Sequence, residues 1–279
     1  MFAVNYSIKT KQTMKHLQKI IALLLFISVT VTLSKANERR FSYTYESGVL
    51  PFGAKEFEIW NTYRTGRDAF YRRLDQRLEF EIGLGSNVQS SIYLNNTSKM
   101  GIGNLGQKTS SYGVSISNEW KYKISDPVAD PFCFALYGEW ALGLDEFELE
   151  GKLIFDKKIN NTLFAFNAVM EKEWETEIEN GEEEIKAEQI YEFDFGCSYL
   201  ATPNFSCGIE LRNHNEIIES EWEHSVLFAG PVLSYATEEW WITLTVLPQL
   251  TALKGETSGK LNLSEHEKIE SRLLFSFHL

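Results

Sequence analysis

Leu74-Asp75-Gln76-Arg77-Leu78-Glu79-Phe80-Glu81-Ile82 alternates apolar and polar side chains almost without interruption. Successive side chains of a strand point to opposite faces. Leu74, Leu78, Phe80 and Ile82 therefore share one face, broken only by Gln76, and Asp75, Arg77, Glu79 and Glu81 share the other. A helix would scatter the four charges around its circumference.

The same period recurs along the chain. Tyr112, Val114, Ile116, Trp120 and Tyr122 oppose Ser115, Ser117, Glu119 and Lys121. Phe147, Leu149, Leu153 and Phe155 oppose Glu146, Glu148, Glu150 and Lys152. Tyr191, Phe193, Phe195 and Tyr199 oppose Glu192 and Asp194. Twelve strands are expected, near 56–64, 71–84, 88–95, 111–124, 132–144, 146–156, 162–175, 185–200, 205–214, 224–235, 239–250 and 267–279, with 10 to 14 allowed. Many exceed the about 5–6 residues of an ordinary globular strand and fit the about 9–11 of a tilted membrane-spanning one.

Connection lengths agree. With the C-terminus in the periplasm, the outer connections are 65–70, 96–110, Asp145, 176–184, 215–223 and 251–266. The inner ones, 85–87, 125–131, 157–161, 201–204 and 236–238, are all short, as in outer-membrane barrels. Pro231 and Pro248 fall inside two strands and cannot donate to a ladder, so Gly230-Pro231 is expected to form a bulge.

The N-terminus differs from the rest. Lys9, Lys11, Lys15 and Lys19 precede an apolar run, Ile20 to Leu33, and Ser34-Lys35-Ala36 follows. This is the pattern of a removable signal peptide over residues 1–36. Residues 37–55 are then a periplasmic extension or a segment folded inward, and 56–279 form the barrel. Removing those lysines and Lys35 leaves 22 basic against 39 acidic residues, a net charge of about −17. Nucleic acid and polyanionic ligands are excluded on that balance.

Alternation alone does not tell a membrane barrel from a soluble one. The last residues decide it: Leu273, Phe275, Phe277 and Leu279 alternate with Arg272, Leu274, Ser276 and His278. They resemble the C-terminal signal by which outer-membrane proteins are recognised for insertion, with Leu279 where Phe is usual. Tyr63, Tyr71, Tyr93, Tyr112, Trp120, Tyr122, Trp174, Tyr199, Phe205, Tyr235, Trp240 and Trp241 suit two aromatic girdles at the membrane surfaces. The fold class expected is all-β: one transmembrane antiparallel up-and-down barrel in the outer membrane. Its partners are outer-membrane lipid and the barrel-insertion machinery.

Leu227-Phe228-Ala229-Gly230-Pro231-Val232-Leu233-Ser234-Tyr235 and Glu239-Trp240-Trp241-Ile242-Thr243-Leu244-Thr245-Val246-Leu247-Pro248-Gln249-Leu250 resemble outer-membrane proteins of the MetA-type phenol-degradation group. The resemblance covers two strands and implies a barrel; it carries over no functional residue.

With the apolar faces in lipid, the polar ones line the lumen. The lining expected is Arg73, Arg77, Glu79, Glu81, Glu119, Lys121, Glu139, Glu148, Lys152, Glu171, Glu192, Asp194, Glu210 and Arg212, with Glu150, Glu173, Glu188 and His214 beside them. Acids outnumber bases, so a narrow channel or binder for small cationic or neutral solutes is expected. The alternatives are a non-conducting structural or adhesive barrel zipped by ion pairs, and a soluble periplasmic β-protein.

Acidic runs at Glu182-Glu183-Glu184 and at Glu216, Glu219, Glu221 and Glu223 are solvated loops or sites where divalent cations bridge to lipid headgroups. No enzyme is expected, because His224 and Ser225 are adjacent and point apart. There is no CxxC or HExxH signature, so no metal or other cofactor is expected. Three cysteines are no disulfide scaffold; Cys197 and Cys207 could meet across the 201–204 turn but read better as apolar packers.

Overall fold

The computed structural model describes residues 38–103, 106–126, 130–179, 182–218, 221–255, 257 and 259–279. The expected signal peptide and Glu219 lie outside them. Twelve strands follow in order: β1 Lys55–Thr65, β2 Arg72–Gly85, β3 Val88–Ile102, β4 Lys108–Lys123, β5 Cys133–Leu142 and β6 Glu146–Ile159. Then come β7 Thr162–Glu179, β8 Glu182–Leu200, β9 Phe205–Ile218, β10 Glu221–Ala236, β11 Trp240–Lys254 and β12 Ile269–His278. Each pairs antiparallel with its neighbours, and β1 pairs with β12, so the sheet closes without an edge. Closure removes the edge that would otherwise leave ladder groups unpaired where no water is available.

The faces are inverted relative to a soluble barrel. Leu78, Phe80, Ile92, Ile116, Trp140, Leu149, Phe166, Phe195, Ile209 and Leu244 are exposed on the outside. Glu56, Glu79, Glu119, Glu210 and Glu270 are buried inside. An apolar exterior of this extent matches hydrocarbon and not water.

Three of the long outer connections turn out to be strand. Lys99–Ile102 pairs with Lys108–Ser111, Thr176–Glu179 with Glu182–Ile185, and Glu216–Ile218 with Glu221–His224. Alternation is demanded only where one face meets lipid, so a ladder that rises into water continues without it. Glu182, Glu183, Glu184, Glu216, Glu221 and Glu223 of the expected acidic loops lie on these extensions.

On the inner side, Ser86 and Asn87 close β2–β3 with φ of 52° and 63°. Two central residues at positive φ match the hand of a two-residue hairpin turn.

The aromatic girdle is corrected at three positions. Tyr71, Tyr93 and Trp241 are buried, the last two inside the wall. Tyr93 sits between outward Ile92 and Leu94, and Trp241 between Trp240 and Ile242. Strand parity outweighs the interfacial preference of the ring.

The expected bulge at Gly230-Pro231 also moves. The register between β10 and β11 shifts at Ser225/Val226 and Leu227/Phe228. It is the same at Phe228↔Gln249 and Val232↔Thr245, which sets Pro231 across from Val246 and Pro248 across from Ala229. The missing donors thus fall together in one patch of ladder. A Cβ on Gly230 would strike the Val246 carbonyl oxygen, so close backbone approach fixes that glycine. Cys197 lies across from Ile209 and Cys207 across from Tyr199, two positions apart in register, and both are free thiols.

The segment before β1 packs against the inner wall, with Phe41, Tyr43, Tyr45 and Leu50 buried. Two wall glycines make room for it. A Cβ on Gly196 would lie 2.6 Å from the Phe41 ring, and one on Gly83 would meet the carbonyl oxygens of Leu50 and Pro51.

Phe195 is an outward residue of β8, paired with Phe166 and Leu211. Phe195→Arg is expected to destabilise the vesicle-inserted barrel by about 2–4 kcal/mol. Urea titration of unfolding from vesicles measures this; unchanged stability would place Phe195 in water.

Candidate functional site: the barrel interior

The inner half of the lumen holds residues 39–50, anchored by wall side chains, and the exposed Pro51, Phe52 and Gly53 turn the chain into β1. Glu210 on β9 is the main anchor. Its Oε1 accepts from the amides of Tyr43 at 2.9 Å and Thr44 at 2.7 Å, and its Oε2 from the Ser42 amide at 3.2 Å. The Thr245 hydroxyl donates to it as well. Asn167 clasps the Tyr45 backbone on both sides, accepting at 2.6 Å and donating at 3.0 Å. Asp156 accepts from the Ser47 amide at 2.8 Å, and Gln89 from the Leu50 amide at 2.9 Å. At the entry, Ser234 and Thr243 donate to the Arg39 carbonyl at 2.9 Å and 2.8 Å. Four strands thus supply the acceptors that a ladder would otherwise give this backbone.

Beside this segment lies a carboxylate cluster. Glu58, Glu79, Glu81 and Glu119 surround a void of about 10 Å³ with Arg39, Lys121, Tyr45 and Tyr93. Gln89 donates to Glu81 and Tyr93 to Glu119. A void of that size holds about one water molecule.

The mid-height of the barrel is filled by cations stacked on aromatic rings. Arg39 lies 4.3 Å from the Tyr45 ring and 4.7 Å from Trp60. Arg77 lies 3.9 Å from Tyr93, Lys152 4.1 Å from Tyr45, and Arg272 4.0 Å from Tyr43. Each desolvated stack of this kind contributes about 2 kcal/mol or more.

The outer half is an ion-pair network. Arg212 bonds Glu192, and reaches Glu270 at 2.9 Å. His214 Nδ1 meets Glu192 at 2.6 Å. The β11–β12 connection folds into this mouth. Gln249 holds it by accepting the Asn262 amide at 2.7 Å and donating to the Asn262 carbonyl at 3.0 Å. Glu267 pairs with Arg67 at 2.9 Å. His266 of the same connection is buried, and burial, with His214, His224, Arg212 and Arg67 nearby, pushes its pKa down to about 2. The imidazole is neutral. A separate cleft of about 510 Å³ opens at the outer rim beside Arg67, Phe70, Tyr71, Lys99 and Leu263.

The fourteen expected lining residues fall into these groups. Arg73 pairs with Asp75 at 2.6 Å. Arg77 bonds Asn95 at 3.0 Å, Ser117 at 3.2 Å and Glu139. Glu79, Glu81, Glu119 and Lys121 form the carboxylate cluster. Lys152 pairs with Glu150 at 2.8 Å, with Glu171 across from Glu150 and Glu148 across from Glu173. Asp194 lies across from Arg212, the partner of Glu192, and Glu210 anchors the inner segment. Of the expected insertion signal, Leu273 and Phe277 are exposed on β12, Phe275 is half-exposed, and Leu279 follows the strand.

Trp60, Tyr93, Tyr137, Leu274 and Trp241 were not among the residues expected inside, although parity with their strand neighbours would have placed them there. Phe41, Tyr43 and Tyr45 alternate with Ser42 and Thr44, the signal of a strand-like segment folded inward, whereas Arg39 and His266 carry no alternation.

A family model described as a family of unknown function (DUF6662) matches residues 33–279. No curated protein is significantly similar in sequence. Among solved structures, the COG4313 outer membrane channel from Pseudomonas putida F1 superposes with a TM-score of 0.60 at 10% identity, covering 86% of this chain and 100% of that one. The NanC porin gives 0.52 at 13% identity, covering 80% and 100%. The β domain of the Bordetella autotransporter BrkA gives 0.53 at 9% identity, covering 82% and 100%. At such identities the likeness is one of fold. It supports the outer-membrane barrel and not the MetA-type group.

Glu210→Ala leaves three buried amides without their acceptor, a loss of about 3 kcal/mol, or about a hundredfold in the released population of residues 39–50. Limited proteolysis of the detergent-folded protein measures it, with Glu210→Gln expected to have a smaller effect. Equal cleavage of wild type and Glu210→Ala would show that the anchor is dispensable.

Proposed function

The chain belongs to the family of unknown function DUF6662, and from its interior we propose a narrow outer-membrane channel or binder for small cationic or neutral solutes. One observation carries this. Among the described residues, the buried strand wall has ten carboxylates, Glu56, Glu58, Glu79, Glu81, Glu119, Glu139, Asp156, Asp194, Glu210 and Glu270, against Lys121, Arg212 and His224, and acids stay in excess when the partly buried Arg64, Arg73, Arg77, Lys152 and Arg272 are added. Such a lining repels anions and lowers the cost of bringing a cation inside.

Passage requires residues 39–50 to yield. Between Ser42 and Leu50 their amides are held mainly by side chains and not by a strand ladder. The segment can leave while the sheet stays paired. Residues 1–36 are proposed as the removed signal peptide, and Leu273, Phe275, Phe277 and Leu279 as the face read by the insertion machinery. No catalytic role is assigned. Ser225 accepts from Asn213 at 3.2 Å, whereas His224 is engaged with Glu216 and His266.

A non-conducting barrel is the second reading, favoured by the cation–aromatic layer that fills the mid-height. Planar-bilayer recording separates the two. The wild type is expected to give a small cation-selective conductance, and deletion of residues 39–50 a severalfold larger one with the same sign of reversal potential. Anion selectivity defeats the acidic-lining reading. Silence in both proteins favours the structural one.

A further inference from the structure

After the expected signal peptide is removed the chain keeps four histidines, His214, His224, His266 and His278. Three of them converge at the outer mouth from β9, β10 and the β11–β12 connection. The His224 and His266 rings are 4.6 Å apart at their centroids, and those of His214 and His266 5.2 Å. His214, Glu216 and His266 each place one ligating atom within 4.8 Å of the other two.

The hydrogen bonds around them assign the free atoms. His224 Nε2 lies 3.2 Å from Glu216 Oε2, which as a carboxylate oxygen accepts, so His224 carries its proton there. In the tautomer that suits a metal ion, His224 is neutral, its Nδ1 accepts, and the His266 Nε2 hydrogen points to it at 2.7 Å. That leaves a lone pair on His266 Nδ1. His214 Nδ1 donates to Glu192 at 2.6 Å, which leaves a lone pair on His214 Nε2. Arg212 also donates to Glu192, so its 3.3 Å approach to His214 is between two donors sharing one acceptor. The Glu216 carboxylate is the third donor. Each of the three ligands is thus held from behind by a partner: Glu192 behind His214, and His224 behind both His266 and Glu216. Metal-ligating histidines characteristically have such an outer shell.

We propose that His214, Glu216 and His266 bind a divalent transition-metal ion of the Zn²⁺ type at the outer mouth of the barrel. Two imidazoles and one carboxylate are a set that suits Zn²⁺ and leaves a fourth position for water or solute. Ligands on one such ion stand at most about 4.2 Å apart, so small side-chain rotations close the site. The nearby cations are already matched: Arg212 by Glu192 and Glu270, and Arg67 by Glu267. Glu265, which acts on His224, adds negative charge. A bound ion would tie the β11–β12 connection to the wall of β9 across the mouth.

Calorimetric titration of Zn²⁺ into the tag-free, detergent-folded full chain tests the proposal. One equivalent is expected to bind, with affinity at least tenfold weaker in His214→Ala, in His266→Ala and in Glu216→Gln, and unchanged in His278→Ala. Glu192→Gln is expected to weaken binding about 10–100-fold. Heat-modifiability on a gel confirms that each variant is folded, and the near-isosteric Glu216→Gln keeps the test alive if a histidine variant is not. Co²⁺ in place of Zn²⁺ is expected to give ligand-field absorption that is lost in the same variants. The proposal fails if the wild type takes up no metal, or if a folded His214→Ala/His266→Ala double variant binds with wild-type affinity.

Discussion

A carboxylate inside a narrow barrel has little bulk water to rely on, and this one need organises the molecule. Unpaired charge in such a place costs several kcal/mol per ion. The sheet's backbone cannot supply partners, because its amides are committed to the ladder. Partners therefore come from elsewhere: the backbone of residues 42–44 for Glu210, Arg77 for Glu139, and Arg212 for Glu192 and Glu270. The inner segment is in this sense part of the wall's electrostatics as much as an obstruction in its bore.

The cations that balance the acids are themselves held by aromatic faces. Arg39 above Tyr45 and Trp60, and Arg272 above Tyr43, keep guanidinium groups in place through flat, weakly hydrated contacts. Tyr43 and Tyr45 come from the inner segment and Trp60 from β1, so the stacks of Arg39, Lys152 and Arg272 on those tyrosines exist only when segment and wall are together, whereas Arg77 on Tyr93 lies within the wall. Function, as proposed, turns on how readily that layer opens.

Much of the fold was legible because lipid imposes a strict rule on every second residue. All twelve strands stood out for that reason. Where lipid ends the rule ends, and the rising hairpins of β3–β4, β7–β8 and β9–β10 were read as loops. Parity also assigned the lining residues, but not who pairs with whom: Arg77 and Glu139 come from β2 and β5, which share no ladder. His266 sits in a connection with no period at all. Its meeting with His214 and His224 depends on how the chain folds back over the mouth, which no local pattern encodes.

The hairpins that rise beyond the membrane are unequal. β7 and β8 run 18 and 19 residues, whereas β5 has 10 and meets β6 through the tight turn at 143–145. At about 3.3 Å per residue, the rim stands tall on one side and dips on the other. A large body approaching from outside, such as an antibody or a neighbouring cell's surface, touches the acidic crest of β7–β8 first. A small molecule spreading along the outer leaflet finds the low side. The barrel is closed around its axis, yet its rim has a front and a back.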